Sequence, residues 1–192
     1  MDIKIALCVP TNRGVKGLTA ECLMKMVEFT PHKIIPFVAS EGYTIAENRN
    51  CLAARAIRSG ATHMMFIDDD MVFPEDTIMR LLAHNKDIMG VKYQPRQVSS
   101  NHATGMFKTN IEPDQIPTDR IYPCDGVGTG IMLINLDVFK KIERPWFDFI
   151  THEVGMIITG EDFYFCYKAK DAGCEVWADP TLQIGHIGDF TY

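Results

Sequence analysis

The sequence has no long apolar run and no basic cluster, the marks of membrane-spanning and nucleic-acid-binding proteins. A membrane-spanning helix needs about 20 consecutive apolar residues, and no segment reaches that length. The net charge is −6, so neither a nucleic acid nor an anionic membrane surface is expected as a partner. The apolar run at residues 3–10 is too short for a signal peptide. We therefore expect a cytoplasmic protein without a transmembrane segment.

Cysteine pairs at zinc-finger spacing are also missing. The six cysteines include no CxxC pair, and most of them lie in apolar segments, where a thiol behaves as a small hydrophobe. We predict reduced thiols, as is usual in the cytosol. There is no internal repeat, low-complexity tract or linker, so the 192 residues are expected to form a single domain.

Apolar segments and amphipathic segments alternate through the first half of the chain. Thr44 with Glu47 three residues later has the pattern of a capping box, and Gly60 is a helix stop. The alternation predicts an α/β domain with a parallel sheet. The predicted strands cover residues 3–10, 32–40, 63–67 and 87–95, and the predicted helices cover residues 18–31, 44–60 and 74–85.

The second half of the chain has weaker periodicity. Residues 94–125 contain four prolines among polar residues and are predicted to be loops with one or two short antiparallel strands. Further predictions are a glycine-rich turn, a strand and a short helix over 126–142, a loop over 144–160, a helix over 161–173 and a strand over 174–180.

Three consecutive aspartates follow the third predicted strand, in "THMMFIDDDMVFPEDTI". Asp68, Asp69 and Asp70 repel one another, and each resists burial unless a positive charge compensates it. In parallel sheets, ligands bind beyond the carboxyl ends of the strands, where these aspartates lie. A hard cation such as Mg²⁺ or Mn²⁺ prefers carboxylate oxygens and is often held by one or two of them plus phosphates. The alternative is a solvated turn before a helix.

Other candidate residues occur farther along the chain. His186 lies between two glycines, where a flexible loop could bring its imidazole to a metal, although a lone histidine is usually structural. Glu161 and Asp162 begin a helix, where acids are favoured by the helix dipole, and one of them is a candidate general base. Arg49 has the planar guanidinium that binds phosphate, but surface arginines are common.

The order of these motifs resembles the GT-A nucleotide-sugar glycosyltransferases, specifically the family-2-like group. The matching stretches are "CVPTNRG", "ENRNCLAARAIRSGATHMMFIDDD" with its DxD motif, "GTGIMLINLDVF", "TGEDFYFCYKAKDAG" and "IGHIG". The resemblance implies a mixed, mainly parallel sheet flanked by helices in a single compact domain. It also implies a nucleotide-sugar-binding half over residues 1–93 and an acceptor and catalytic half over residues 94–192.

The resemblance also implies the ligands and the reaction. The donor would be a UDP- or GDP-sugar with Mn²⁺ or Mg²⁺, and the acceptor a glycan, lipid or protein. Sugar transfer would be inverting, with Asp162 as the base. The implied metal ligands are Asp70 and His186. The implied donor-binding residues are Pro10, Thr11, Arg49, Asp68 and Asp69.

Two other functions fit parts of the same sequence. "FIDDDMV" also matches the nucleophile loop of haloacid-dehalogenase-like phosphatases, in which Asp68 would be phosphorylated and Asp70 would act as the acid. That motif normally follows the first strand of its fold, and here it follows the third predicted strand. A non-catalytic sugar-nucleotide-binding module with the GT-A fold is the second alternative.

Overall fold

The computed structural model of the protein describes residues 2–40, 42–93, 107–108 and 115–188. The larger strands are β1 (Lys4–Pro10), β2 (Lys33–Ala39), β3 (His63–Ile67), β5 (Ile88–Val91), β9 (Ile131–Asn135) and β12 (Val176–Asp179). The shorter ones are β4 (Met71–Val72), β6 (Phe107–Lys108), β7 (Tyr122–Pro123), β8 (Gly126–Val127), β10 (Ile150–Thr151), β11 (Ile157–Thr159) and β13 (Gly185–His186). The helices are α1 (Gly17–Phe29), α2 (Ile45–Arg58), α3 (Thr77–Ala83), α4 (Glu161–Asp171) and a 3₁₀ helix (Leu136–Lys140).

Seven strands form one sheet, in the order β2-β1-β3-β9-β5-β12-β7. β1 is parallel to β2 and β3, and β12 is parallel to β5. β9 is antiparallel to both of its neighbours, β3 and β5, and β7 is antiparallel to β12. Five strands therefore run in one direction and two in the other, which confirms the expected mixed, mainly parallel sheet.

Helices cover both faces of this sheet because side chains alternate along each strand. On β1, Ala6 and Cys8 belong to the core that includes Leu52 of α2 and Phe165 of α4. Ile5 and Leu7 belong to the opposite core, which includes residues of α1 and α3. Both cores are built on the same sheet, so the described residues form one compact α/β unit flanked by helices, as expected.

The start of α2 follows the capping pattern in the sequence. The Thr44 hydroxyl accepts a hydrogen bond from the Glu47 amide at 3.2 Å, and the Glu47 carboxylate accepts one from the Thr44 amide at 2.9 Å. Gly60 follows the helix with a φ of +72°, a conformation that favours glycine. These local signals place α2 in the sequence.

The helix predicted over residues 74–85 is shorter than expected and covers only Thr77–Ala83. The amide and the hydroxyl of Thr77 both donate to the Pro74 carbonyl oxygen, at 3.2 and 2.6 Å. Pro74 therefore begins a turn that precedes the helix, and the prediction that it opens the helix is wrong.

Three short two-stranded ladders lie outside the seven-stranded sheet. β13 pairs with β4, β10 with β11, and β6 with β8, all antiparallel. The loop assignments at β13 and at residues 144–160 are therefore wrong, and the glycine-rich turn at 126–130 contains β8. β6 and β7 confirm the short antiparallel strands expected within 94–125.

None of the six cysteines forms a disulfide in the structure. No helix in the described part of the chain combines the length and apolar character needed to cross a bilayer. Residues 94–106 and 109–114 lie outside the described residues, and the division into a donor half and an acceptor half stays a prediction.

Candidate active site

Several predicted site residues meet at the edge of the sheet where the parallel strands end. Pro10 ends β1, Asp68 follows β3, and Ile131 at the start of β9 pairs with Ile67 at this same edge. An open cavity of about 460 Å³ lies here. Its lining, which defines what we call the Arg49 cavity, includes Pro10, Thr11, Arg13, Lys16, Arg49, Asp68 and Asp69.

Arg49 connects two acidic segments that are far apart in sequence. Its Nη2 donates to Asp68 Oδ1 at 2.9 Å, and its Nε donates to Glu161 Oε1 at 3.0 Å. Arg49 is only 3% exposed. Burial alone would lower the pKa of the guanidinium, but Asp68 and Glu161 outweigh burial and raise it. Glu161 is therefore the partner of a buried cation as well as a residue of the first helical turn.

The ring of Phe66 packs against the guanidinium of Arg49. The guanidinium carbon lies 5.2 Å from the centroid of the Phe66 ring, a cation–π distance. Phe66 packs edge-on against Phe147 at 5.5 Å, and Phe147 stacks on Phe165 of α4 at 4.6 Å. A continuous aromatic cluster thus holds the guanidinium between β3 and α4.

Two buried polar atoms at the cavity lack partners among the described residues. Arg49 Nη1 and Thr11 Oγ1 are inaccessible to solvent and make no hydrogen bond there. Leaving such a group unsatisfied costs about 1–3 kcal/mol. Both residues line the Arg49 cavity. A shift of the two side chains would expose these atoms to an oxygen-rich ligand in this cavity.

Asp70 and His186 come together through the β4–β13 ladder. His186 pairs with Met71, the residue after Asp70, and the Ile187 amide donates to the Asp70 carbonyl oxygen at 2.8 Å. His186 Nε2 lies 3.2 Å from Asp70 Oδ1. The side chain of Asp70 is fully buried, whereas that of His186 keeps 15% of its surface exposed. A ligand therefore reaches the pair from the side of His186.

This pair fits a divalent cation in its chemistry and its spacing. Mn²⁺ and Mg²⁺ are bound by carboxylates, and imidazole is a common ligand of transition metals. Octahedral bonds of about 2.1 Å place neighbouring ligand atoms roughly 3 Å apart, close to the Asp70–His186 distance. No group of three or more His, Cys, Asp or Glu among the described residues could hold a metal ion. Phosphate oxygens would have to complete the coordination.

Asp162 is a buried carboxyl in the first turn of α4. It is 7% exposed, and its Oδ1 accepts a hydrogen bond from the Phe163 amide at 2.8 Å. Burial, with the neighbouring charge of Glu161, raises its pKa to about 6. A Cβ on Gly160 would lie 2.9 Å from Asp162 Oδ1, so a larger residue there would force this carboxylate to move. A carboxylate that titrates near neutral pH suits a general base.

Tyr93 joins the Asp70–His186 pair to the aspartate loop. Its ring lies edge-on to His186 with centroids 5.8 Å apart. Its hydroxyl oxygen accepts a hydrogen bond from the Gly130 amide at 3.0 Å, and the Gly130 carbonyl accepts one from the Asp68 amide at 3.0 Å. A Cβ on Gly130 would lie 2.5 Å from that hydroxyl, which excludes larger residues there. Burial and then Asp68 raise the pKa of Tyr93.

Tyr93, Lys16 and Phe66 were not among the predicted site residues. The Lys16 amide donates to the Asp69 carbonyl at 2.9 Å, and Lys16 Nζ donates to the Ile187 carbonyl at 3.1 Å. Lys16 thus ties the loop after β1 to the aspartate loop and to the segment that contains His186. The second glycine of "GTG", Gly130, was a signal for the close contact with Tyr93, but no local pattern pointed to Lys16.

The structure brings the predicted residues together in two groups. Pro10, Thr11, Arg49, Asp68 and Asp69 share one cavity, and their predicted roles toward a donor stay predictions. Asp70 and His186 form the second group, next to Asp69 in sequence. Asp162 is linked to the first group through Glu161 and Arg49.

Known structures were compared with this fold. The protein A197 from STIV matches with a TM-score of 0.67 at 17% identity, over 97% of this chain and 87% of that one. GalNAc-T7 crystallised with UDP, GalNAc and Mn²⁺ matches at 0.57 and 14% identity, over 96% and 44% of the two chains. S. aureus TarS 1–349 in complex with UDP-GlcNAc matches at 0.56 and 13% identity, over 99% and 57%.

These similarities show that the chain has the GT-A fold of nucleotide-sugar glycosyltransferases. No protein-family model and no curated protein sequence matches the chain. The chain spans about half the length of the GalNAc-T7 and TarS chains that it matches. The fold disfavours the phosphatase alternative, because that nucleophile loop belongs to a different fold.

We predict that Arg49→Met destabilises the protein by about 3–5 kcal/mol, since it leaves Asp68 and Glu161 without their buried cation. Urea unfolding at pH 7.5 measures this loss. Arg58→Met, an exposed position on the same helix, is the matched control. Adding Glu161→Gln should recover part of the loss, because the two residues interact directly. Equal losses for the two arginine variants would contradict the bridging role.

We also predict that Asp162→Asn stabilises the protein at pH 7.5 but not at pH 4. The folded-state pKa of Asp162, about 6, lies above the ordinary 3.8. Protonated Asp162 therefore contributes its full stabilisation to the wild-type fold below pH 3.8, and this contribution is lost as the pH rises through 6. The asparagine variant avoids the cost of a buried charge, worth roughly 2–3 kcal/mol. Urea unfolding at the two pH values checks this. The same stability difference between variant and wild type at both pH values would show that the pKa of Asp162 is not raised.

Proposed function

We propose that the protein is a metal-dependent glycosyltransferase that moves a sugar from a UDP- or GDP-sugar to an acceptor hydroxyl with inversion. The observation that carries this proposal is the Arg49 bridge, in which one residue of the cavity lining bonds both to the aspartate loop and to the helix of Asp162. Two comparison structures contain UDP or UDP-GlcNAc, which agrees with a nucleotide-sugar donor. A non-catalytic sugar-nucleotide-binding module, the alternative function, would bind the donor in the same cavity but would not transfer the sugar.

The donor would occupy the Arg49 cavity. Thr11 Oγ1 and Arg49 Nη1 offer unused hydrogen-bonding groups to it, and Lys16 and Arg13 add positive charge. The nucleobase and ribose of the donor would lie near Pro10, Thr11 and the side chains of Asp68 and Asp69. This assignment satisfies the polar atoms that the described residues leave unpaired.

Asp70 and His186 would hold Mn²⁺ or Mg²⁺ together with the donor diphosphate. The bound cation stabilises the negative charge that grows on the leaving nucleoside diphosphate. GalNAc-T7 was crystallised with Mn²⁺, which agrees with a divalent cation in this fold. The repulsion among the three adjacent aspartates is then relieved by Arg49 at Asp68 and by the cation at Asp70.

Asp162 would act as the general base. It takes the proton of the acceptor hydroxyl as the oxygen attacks the anomeric carbon, and the bond from that carbon to the diphosphate oxygen breaks on the opposite face. Its raised pKa suits this role, because a base works best when its pKa is near the working pH. Gly160 and the Phe163 amide fix the carboxylate in place.

We predict that nucleotide binding requires a divalent cation held by Asp70 and His186. Calorimetry with UDP and with GDP should give at least about tenfold weaker binding in EDTA than in Mn²⁺. Asp70→Asn and His186→Ala should bring the Mn²⁺ value to the EDTA value. His152→Ala, in the exposed hairpin, is the matched control. Binding of either nucleotide with equal affinity in both conditions would rule out the metal site.

We predict that Asp162→Asn lowers turnover by about 10²–10⁴, the usual contribution of a general base, with donor affinity unchanged. Asp70→Asn should weaken donor binding instead. Asp171→Asn, at the exposed end of the same helix, is the matched control. Glu161→Gln is not a neutral control, because Glu161 holds Arg49.

Single-turnover kinetics and the configuration of the product complete this test. Transfer at the wild-type rate by Asp162→Asn, or a product that keeps the donor's anomeric configuration, would contradict the inverting assignment. Donor binding without turnover across a panel of glycan, lipid and protein acceptors would favour the binding module.

A further inference from the structure

A second cavity lies on the other side of the metal-binding pair. It measures about 550 Å³ and is bordered by Val72, Phe73, Lys92, Tyr93, Leu182 and Ile184 among others, and we call it the Lys92 groove. It shares no lining residue with the Arg49 cavity. We infer that the Lys92 groove is the acceptor subsite, and that it takes an acceptor with an apolar body and one anionic group. This inference rests on the proposed function.

The position of the groove follows from one short segment. The Arg49 cavity is lined by Asp69 and the Lys92 groove by Val72, so the segment passes from one to the other. Asp70, between them, is the residue next to His186. Tyr93 lines the groove and also contacts the His186 ring. A molecule in the groove therefore lies beside the cation that would hold the donor diphosphate.

The lining sets the chemical class of the ligand. Most of the named side chains are apolar or aromatic, and Lys92 is the one charged group among the described residues that line the groove. No acidic side chain of the described residues lines it, in contrast to the Arg49 cavity. A glycan needs many hydrogen-bonding partners, and this surface supplies few. An alkyl or aryl body matches the apolar wall and removes it from water.

Lys92 is placed to bind the anionic group. The Lys92 amide donates to the Asp179 carbonyl oxygen at 3.3 Å, so β12 fixes the backbone from which the side chain extends. Its ammonium is a point charge suited to a phosphate or a carboxylate. A cavity of this volume lies within the range of small-ligand sites, roughly 300–1,000 Å³. The volume of the groove admits the anionic group together with part of the attached apolar body.

Octyl phosphate is the probe for this class, with inorganic phosphate, methyl β-glucoside and octyl β-glucoside as comparisons. Methyl NMR of the full chain should show shifts at Val72, Leu182 and Ile184 with octyl phosphate. Inorganic phosphate and methyl glucoside should leave these methyl groups unmoved, and octyl glucoside should bind more weakly. Lys92→Met should weaken octyl phosphate binding by at least roughly tenfold, as expected for loss of a charge-assisted contact. Lys140→Met, an exposed lysine of the 3₁₀ helix, should not change it.

UDP binding in Mn²⁺, measured on the same samples, separates this inference from the proposed function. Unchanged UDP affinity in Lys92→Met supports the acceptor assignment, whereas a loss equal to that for octyl phosphate means that Lys92 serves the donor and overturns it. Intact UDP binding with no groove shifts from octyl phosphate, or stronger shifts from methyl glucoside, overturns the ligand class. Absence of both UDP and GDP binding in Mn²⁺, with clear octyl phosphate shifts, contradicts the transferase and supports the class assigned to the groove.

Discussion

The buried guanidinium of Arg49 is the interaction on which the site depends. Asp68 follows a strand of the first half of the chain and Glu161 begins a helix of the second half, and each would be costly to bury near the other without a cation. Because both carboxylates bond to one arginine, the distance between the aspartate loop and α4 is fixed. Asp162 follows Glu161 and is fixed with it. The aromatic cluster beside Arg49 helps to shield the guanidinium from water, which strengthens its charge interactions.

The acidic loop is organised by separating its three carboxylates. Asp68 faces Arg49, Asp69 lines the open cavity, and Asp70 turns inward to His186. The chain turns at Asp69 and Asp70, so the three carboxylates point to different sides and each meets a different environment. Adjacent like charges are thereby tolerated, and one short segment serves both the cavity and the candidate metal centre.

Function in this fold resides in the loops at one edge of the sheet rather than in the sheet itself. The solved structures share the architecture at 13–17% identity, which leaves room for different donors and acceptors. Here the edge carries two cavities of different chemistry, one acidic and cationic, one apolar with a single lysine. The Asp70–His186 pair lies where the same segment passes from one cavity to the other.

The sequence by itself determined the elements whose signals are local. The Thr44–Glu47 capping box, the apolar run ending at Ile67 and the acids that open α4 each depend on neighbouring residues, so their positions were predictable. The resemblance supplied the fold and the candidates Asp70, Asp162 and His186. Only the tertiary structure decided which of these meet. The ladder that joins His186 to Met71 and the bridge from Arg49 to Glu161 connect residues more than a hundred positions apart. Such contacts leave no periodic pattern in the chain, because they form only when the sheet has brought its carboxyl ends together.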